Sequence, residues 1–485
     1  MTAYEAVIGL EVHAELLTES KMFCGCAVVD STTADPNTVV CPICLGMPGV
    51  LPVINRRAVE FAIRVGLALN CRIAETNVFA RKSYFYPDLP KGYQISQYEL
   101  PLAVNGWLEI DLPDGRTKRI GIRRAHLEED TGKSIHVGGS SLIDFNRSGV
   151  PLLEIVTEPD IRSAEEAEAY GRKLRAILQY LGVNSGDMSK GVLRMEPNIS
   201  VRPVGSNELR TRTEVKNLNS IRSLARACAV EIERQIKIYE SGGTVTQATL
   251  GWDETRGTLV MQREKESAHD YRYFPEPDLP PLVISREWIE EIRRSLPELP
   301  DAKRNRLMEL GLSAYEASVL VADRAVADYF EAVVTSGAEP KKAAIWVINE
   351  LFARMNKAAL PSESIAETRV TPVALAELIA LVDRGTINNN AAKKVLDVLF
   401  ERGGVPAELV QQLGLEQTQD TSLIEAAILR VLEANAAEVT RFCNGEEKVL
   451  KFLIGQVMRE GRGKFPAELT NALLTEHLRR RCQGQ

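Results

Sequence analysis

The chain has no run of about eighteen apolar residues, the length a helix needs to cross a bilayer, so no transmembrane helix is expected. Its start carries no basic stretch leading into an apolar one, and a cytoplasmic location is the expectation. No G-x-x-x-x-G-K-[ST] is present, so any nucleotide is held without a P-loop. A G-x-G-x-x-G between strand and helix is missing too, as are the kinase H-R-D and D-F-G signatures. Gly138-Gly139-Ser140-Ser141 is like the loops of amidases, but nothing supports it and it reads as a hairpin turn. With no amidase nucleophile set and no Cys/His glutaminase signature, the chain is expected to be inactive on glutamine alone. Internal repeats and low-complexity tracts are also lacking.

What remains has the composition of a soluble globular protein, 45% apolar and 26% charged over 485 residues. That length accommodates roughly two to four domains. A net charge of −7 excludes a surface that binds nucleic acid indiscriminately. The charge is uneven, however. From Ala437 onward nine Lys/Arg face six Asp/Glu, a net of +3, which suits either a local RNA contact or a solvated helix end.

Up to about Ser285 short alternating segments mix with a few strong helices. Val104 to Asp111 and Arg116 to Ile122, joined by Leu112-Pro113-Asp114-Gly115, predict a β-hairpin. Asn55 caps a helix running to about Asn70, Ser163 and Glu166 form a capping box, and a third helix spans Ser220 to about Glu240. Beyond Pro297 to Pro300 strand signals thin out. Alanine-rich helical periodicity follows over Ala314 to Ser336, Lys341 to Lys357, Pro372 to Arg384 and Asn389 to Arg402. The fold class is therefore α+β: residues 1–292 mixed, 293–408 all-helical, and 409–485 a small helical tail.

Four of the eight cysteines, Cys24, Cys26, Cys41 and Cys44, form a C-x-C and C-P-x-C arrangement suited to a tetrahedral Zn²⁺. Four reduced, packed thiols are the alternative. The cysteines as a whole read as metal ligands and buried thiols, not a disulfide frame, and Cys71, Cys228, Cys443 and Cys482 receive no role. Carboxylates also interrupt apolar, strand-like runs. Glu11, with His13 two residues on, lies in one and Glu154 in another, and Glu128 of His126-Leu127-Glu128-Glu129-Asp130, Glu196 and Glu214 join them. Burying a carboxylate unpaired costs several kcal/mol, so such positions call for a cation, and Mg²⁺ takes one or two carboxylates beside substrate phosphates. The other reading turns these side chains to solvent on alternating strands. Finally, Lys82, Tyr84, Tyr86, Lys91 and Tyr93 sit in one basic-aromatic segment and Arg272 and Tyr273 in another, a composition fit for stacking a base and pairing phosphates.

Over essentially its whole length the chain resembles the B subunit of the tRNA-dependent amidotransferases, the GatB family. The resemblance rests on Ile8-Gly9-Leu10-Glu11-Val12-His13, Lys21-Met22-Phe23-Cys24, Cys41-Pro42-Ile43-Cys44-Leu45-Gly46-Met47-Pro48-Gly49 and Lys82-Ser83-Tyr84-Phe85-Tyr86-Pro87-Asp88-Leu89-Pro90-Lys91-Gly92-Tyr93-Gln94. It extends through His126-Leu127-Glu128-Glu129-Asp130, Asp144-Phe145-Asn146-Arg147, Pro151-Leu152-Leu153-Glu154-Ile155, Arg212-Thr213-Glu214-Val215-Lys216-Asn217-Leu218-Asn219-Ser220, Asp270-Tyr271-Arg272-Tyr273-Phe274-Pro275 and Gly455-Gln456-Val457-Met458. It implies a glutamine-synthetase-like cradle, then a helical domain and a tail that touches tRNA; the loop of four cysteines reads as a zinc knuckle within the cradle, and Lys448, Lys451, Arg459, Arg462 and Lys464 of the basic stretch are the expected tRNA contacts. It further implies Mg²⁺ on His13, Glu128 and Glu154 with Glu11 near by, and ATP-dependent activation of a misacylated tRNA(Gln) or tRNA(Asn). Ammonia would come from a separate amidase, the A subunit, joined by a small C subunit. One departure stands out. Where many relatives read Cys-Asp-x-Asn-Val-Ser, this chain has Met195-Glu196-Pro197-Asn198-Ile199-Ser200, a carboxylate longer by one methylene. A non-catalytic, zinc-stabilised tRNA adaptor is the rival reading; it would keep the cysteines and basic tail but need no buried acidic cluster.

Overall fold

A computed structural model describes residues 3–112, 114–264, 271–418, 420–461 and 464–483, and the chain divides into two compact units, Met1–Ala302 and Lys303–Gln485. Pro113 of the expected turn and Asp270 of the second aromatic motif lie outside the described residues.

The first unit is organised by a 12-stranded sheet. Its strands are β1 (Tyr4–Glu15), β2 (Phe79–Ser83), β3 (Tyr93–Gln97), β4 (Ala103–Asp111), β5 (Thr117–Glu129), β6 (Pro151–Thr157), β7 (Leu193–Pro203), β8 (Thr213–Lys216), β9 (Ala248–Asp253), β10 (Thr258–Glu264) and β11 (Phe274–Pro275), with a short Arg72–Ile73 strand beside β4. The spatial order is β10-β9-β8-β7-β1-β6-β5-β3-β2-β11, with β4 also paired to β5. All neighbours run antiparallel except β8 and β9.

Alternation divides the sheet into two faces. Along β1, Ile8, Leu10, Val12 and Ala14 are buried while Gly9, Glu11, His13 and Glu15 point the other way. The buried set meets Leu153 and Ile155 of β6 and Met195 and Ile199 of β7 in one core. Covering that face are α1 (Arg56–Ala68), α2 (Ala164–Tyr180) and α3 (Ile221–Glu240), which contribute Phe61, Leu174 and Leu224 among others. The caps are as expected from sequence: Asn55 accepts from the Arg57 and Ala58 amides, Ser163 from Glu166 and Ser220 from Ser223. The reciprocal half of the Ser163 box is absent, because the Glu166 carboxylate turns to the Arg162 amide (2.7 Å) and the Lys118 ammonium (2.7 Å). Gly138-Gly139 closes a hairpin between Lys133–Val137 and Ser140–Asp144.

In the second unit two apolar cores are distinct, one drawn from Leu307 to Val410 and one from Ile424 to Leu478. The helix expected over Ala314 to Ser336 is two helices, Ala314–Val321 and Arg324–Thr335, because Asp323 caps the second through the Ala325 amide at 2.9 Å. The stretch expected as one helix over Lys341 to Lys357 contains a π-helical segment, Trp346–Leu351. Cys443 and Cys482 form a disulfide with their Cα atoms 5.2 Å apart, which corrects the reading of all eight cysteines as metal ligands or free thiols. The two lie 39 positions apart in sequence, and the packing of Ala436–Cys443 near Ala467–Gln483 brings them together. No helix among the described residues is long and apolar enough to cross a membrane.

Candidate active site and metal centres

The uncovered face of the sheet floors a cleft of about 1030 Å³. Register explains its chemistry. His13 of β1 pairs with Glu154 of β6, which pairs with His126 of β5, and Glu128 lies two residues further along the same face. His13 Nε2 consequently stands 3.8 Å from Glu128 Oε1 and 3.7 Å from Glu154 Oε2. One donor atom from each of these residues lies within 4.8 Å of the others. The gaps are too long for strong hydrogen bonds and leave room for an ion whose bonds to oxygen are about 2.0–2.1 Å. Hard oxygen donors with one imidazole fit Mg²⁺ or Mn²⁺.

A second acidic group lies across β1. Glu11 is directly opposite Glu196 on β7, and Asn198 is opposite Glu214 on β8. Glu11, Glu196 and Glu214 also bring oxygens within 4.8 Å of one another. Here the Lys216 ammonium already bridges Glu196 (2.9 Å) and Glu214 (3.2 Å), while Asn198 donates to Glu11 at 3.1 Å.

The electrostatics follow from confinement. Burial pushes the Glu11 carboxyl up, and the neighbouring Glu154 and Glu214 add to this. Burial disfavours the His13 imidazolium, but its contact with Glu154 and the charges of Glu154, Glu196 and Glu128 raise it to about 9. Against its own burial, Glu154 is held well below the usual carboxylate range by His126 and His13. Lys82 is likewise penalised by burial, yet Glu128, Tyr273 and Glu154 keep it firmly charged. Its ammonium lies over the rings of Tyr271 (5.0 Å) and Tyr84 (5.7 Å).

Lys82, Tyr86 and Tyr273 line the cleft, with Tyr273 stacked on Tyr98 at 4.0 Å. Lys91 and Tyr93 instead line a separate cavity of about 100 Å³ against the cysteine loop, where Lys91 is ion-paired with Glu129. Tyr84 packs edge-on between Tyr86 and Tyr271, and Arg272 is exposed. His126 and Lys216 escaped notice as site residues, although each sits inside a motif that carries the resemblance. Only the strand register exposes their part, His126 Nε2 being 3.3 Å from Glu154 Oε2.

Cys24, Cys26, Cys41 and Cys44 bring their sulfurs within 4.8 Å of one another. Cys41 and Cys44 Sγ are 3.9 Å apart, close to the edge of about 3.8 Å in a tetrahedron of 2.3 Å Zn–S bonds. The Cys41 amide donates to Cys44 Sγ at 3.1 Å. With the Cys24 thiol donating to it and Lys21 near by, Cys44 is held down to about 4, while that same contact with Cys44 pushes the Cys24 thiol up and burial pushes Cys26 up to about 11. The donor set fits zinc. Gly46 permits the turn after it: its φ is 65°, and a β-carbon there would fall 2.5 Å from Lys91 Cγ.

Residues 6–290 match the family model described as the GatB/GatE catalytic domain, and residues 328–478 match the GatB domain. The chain belongs to the GatB family. Among its relatives is the B subunit of the aspartyl/glutamyl-tRNA(Asn/Gln) amidotransferase of Thermodesulfovibrio yellowstonii, 52% identical over 478 residues, 98% of this chain and 99% of that one. The B subunits of the same enzyme from Geobacter sulfurreducens and Moorella thermoacetica are each 53% identical, over 98% of this chain and 99% and 100% of their own. GatB membership therefore extends over both units.

The raised His13 value carries a prediction. Because it lies above the ordinary 6.5, the imidazolium contributes stability that is complete below pH 6.5 and is lost as pH rises through about 9. In histidine-labelled, metal-free protein, NMR should show the His13 ring titrating near pH 9, with Mg²⁺ displacing the proton. A midpoint at or below 6.5 would mean that the neighbouring carboxylates are not charged as described.

Proposed function

We propose that this chain activates the side-chain carboxylate of misacylated Glu-tRNA(Gln) or Asp-tRNA(Asn) with ATP and completes its amidation in the cleft over the sheet. The observation that carries the reading is the convergence of His13, Glu154 and the buried Glu128, with His13, Glu154 and the charged Lys82 lining one cleft. A free carboxylate is a poor acyl donor, since its leaving group would be oxide. Transfer of the ATP γ-phosphoryl group to a carboxylate oxygen releases ADP and leaves an acyl phosphate, from which ammonia displaces inorganic phosphate. Phosphoryl transfer asks for positioning and charge neutralisation more than covalent help.

His13, Glu128 and Glu154 are the residues that would hold Mg²⁺, with Glu11, Glu196 and Glu214 forming a neighbouring acidic set. A divalent ion held there would offset phosphate charge. Lys82 supplies a fixed positive charge to the transferring group, and its aromatic surroundings keep it from swinging away. Tyr86 and Tyr273, with Tyr84 behind them, offer faces for the nucleoside or the terminal base of the tRNA. Arg123, Arg124, Arg210 and Arg212 line the same cleft and suit a polyanion. Lys91, Tyr93 and Arg272 complete the proposed nucleotide-binding set from outside that lining.

Residues 1–292 are read as a glutamine-synthetase-like cradle with a structural Zn²⁺ on Cys24, Cys26, Cys41 and Cys44, 293–408 as a helical domain and 409–485 as the tRNA-contacting tail. The relatives are named as B subunits, which supports partners here too: an amidase (the A subunit) producing ammonia from glutamine, together with a small C subunit. A tRNA substrate accords with work in the cytoplasm. Lys448, Lys451, Arg459 and Lys464 are exposed on the tail, and Arg462 lies outside the described residues.

In the reassembled complex, Glu154→Gln or Glu128→Ala should lower tRNA-dependent ATP hydrolysis by about 100-fold or more, with tRNA affinity nearly unchanged. Hydrolysis at the normal rate would remove these residues from the site. Replacing Lys448, Lys451, Arg459 and Lys464 by glutamine should weaken tRNA binding and flatten its salt dependence, by about 1 in log–log slope for each phosphate no longer neutralised. An unaltered slope would move the RNA contact elsewhere.

A further inference from the structure

Lys21 is among the largest fully buried side chains, at 1% exposure. Lysine is almost never buried to that extent without a charged partner. Its ammonium donates to the carbonyl oxygens of Val39 (3.0 Å) and Phe145 (3.3 Å), and its third neighbour is Cys44 Sγ at 3.6 Å. No described carboxylate pairs with it. Two neutral carbonyls satisfy hydrogen bonds but leave the charge uncompensated, at a cost of several kcal/mol. The nearest group able to carry negative charge is the Cys44 sulfur.

Four thiolates around one Zn²⁺ carry a net charge of −2 in a poorly solvated loop. A buried ammonium against one sulfur halves that charge and donates a hydrogen bond to it. Such outer partners orient metal ligands and tune their affinity. Lys21 also joins the two chain segments that meet there. Val39 precedes the second cysteine pair, whereas Phe145 lies in the segment leading to β6, the strand that carries Glu154.

We propose that Lys21 is the built-in counter-charge of the cysteine cluster, a positioning residue that sets its affinity for zinc. This rests on reading the four cysteines as a zinc site, and the two statements are separable by experiment. Zinc affinity of the full chain is measured by chelator competition, with Co²⁺ substitution reporting the sulfur-to-metal charge-transfer band. Lys21→Gln keeps N–H donors for the two carbonyls but removes the charge. Lys21→Met keeps only the packing of the stem, and Lys21→Arg retains the charge. The expected result is a loss of about 10- to 100-fold in zinc affinity for both neutral variants, a shifted cobalt band, and a smaller loss for Lys21→Arg. If Lys21→Met fails to fold, Lys21→Gln, closer to the native donor set, decides the question. Wild-type affinity and an unmoved band in Lys21→Gln would overturn the proposal, leaving the lysine as a cap for carbonyls. A wild-type chain that takes up neither zinc nor cobalt would instead overturn the cysteine-site reading itself, and the counter-charge with it.

Discussion

The pairing of β1 with β6 and β7 is the constraint on which the rest depends. A strand repeats every two residues, so one register choice decides which side chains enter the core and which enter the cleft. With His13 opposite Glu154 and Glu11 opposite Glu196, five apolar residues of β1 join the helices and two charged ones join the acidic floor. A slip of one residue would bury both charges and expose Ile8, Leu10 and Val12. Burial of that apolar surface therefore enforces the geometry of the charged face, and the site obtains its precision from the core behind it.

The acidic floor is held together by compensation. Glu154 is flanked by His13 and His126, Glu196 and Glu214 share Lys216, and Lys82 sits within the field of Glu128 and Glu154. The two acidic groups differ in one respect that matters chemically. An internal ammonium already bridges one of them, whereas in the other His13 and His126 stand against Glu154, with Lys82 acting on the group through its charge. Lys21 extends the same logic to the cysteine loop, where a buried cation faces sulfur instead of oxygen.

Much of this was legible in the residues. Carboxylates inside apolar runs, Glu11 between Leu10 and Val12 or Glu154 between Leu153 and Ile155, marked the cleft strands because burial makes such placement costly. Asn55, Ser163 and Ser220 marked helix starts through local hydrogen bonds that need no tertiary context. Long-range adjacency was not legible from pattern alone. Which carboxylates share an ion depends on pairing between positions 13, 128 and 154, and no local preference encodes it. For the same reason Lys216 received no role, and Cys443 and Cys482 looked unpaired. Asp323 was missed as a break because flanking alanine-rich helicity masked a capping residue.

The central claim is that His13, Glu128 and Glu154 share one divalent ion. The most direct measurement is anomalous diffraction from crystals of the chain soaked in Mn²⁺, collected in parallel on His13→Ala crystals. The account predicts one strong peak between the three side chains in the wild type and its loss or marked weakening in the variant. Manganese bound elsewhere, or an equal peak at that position without the imidazole, would contradict it.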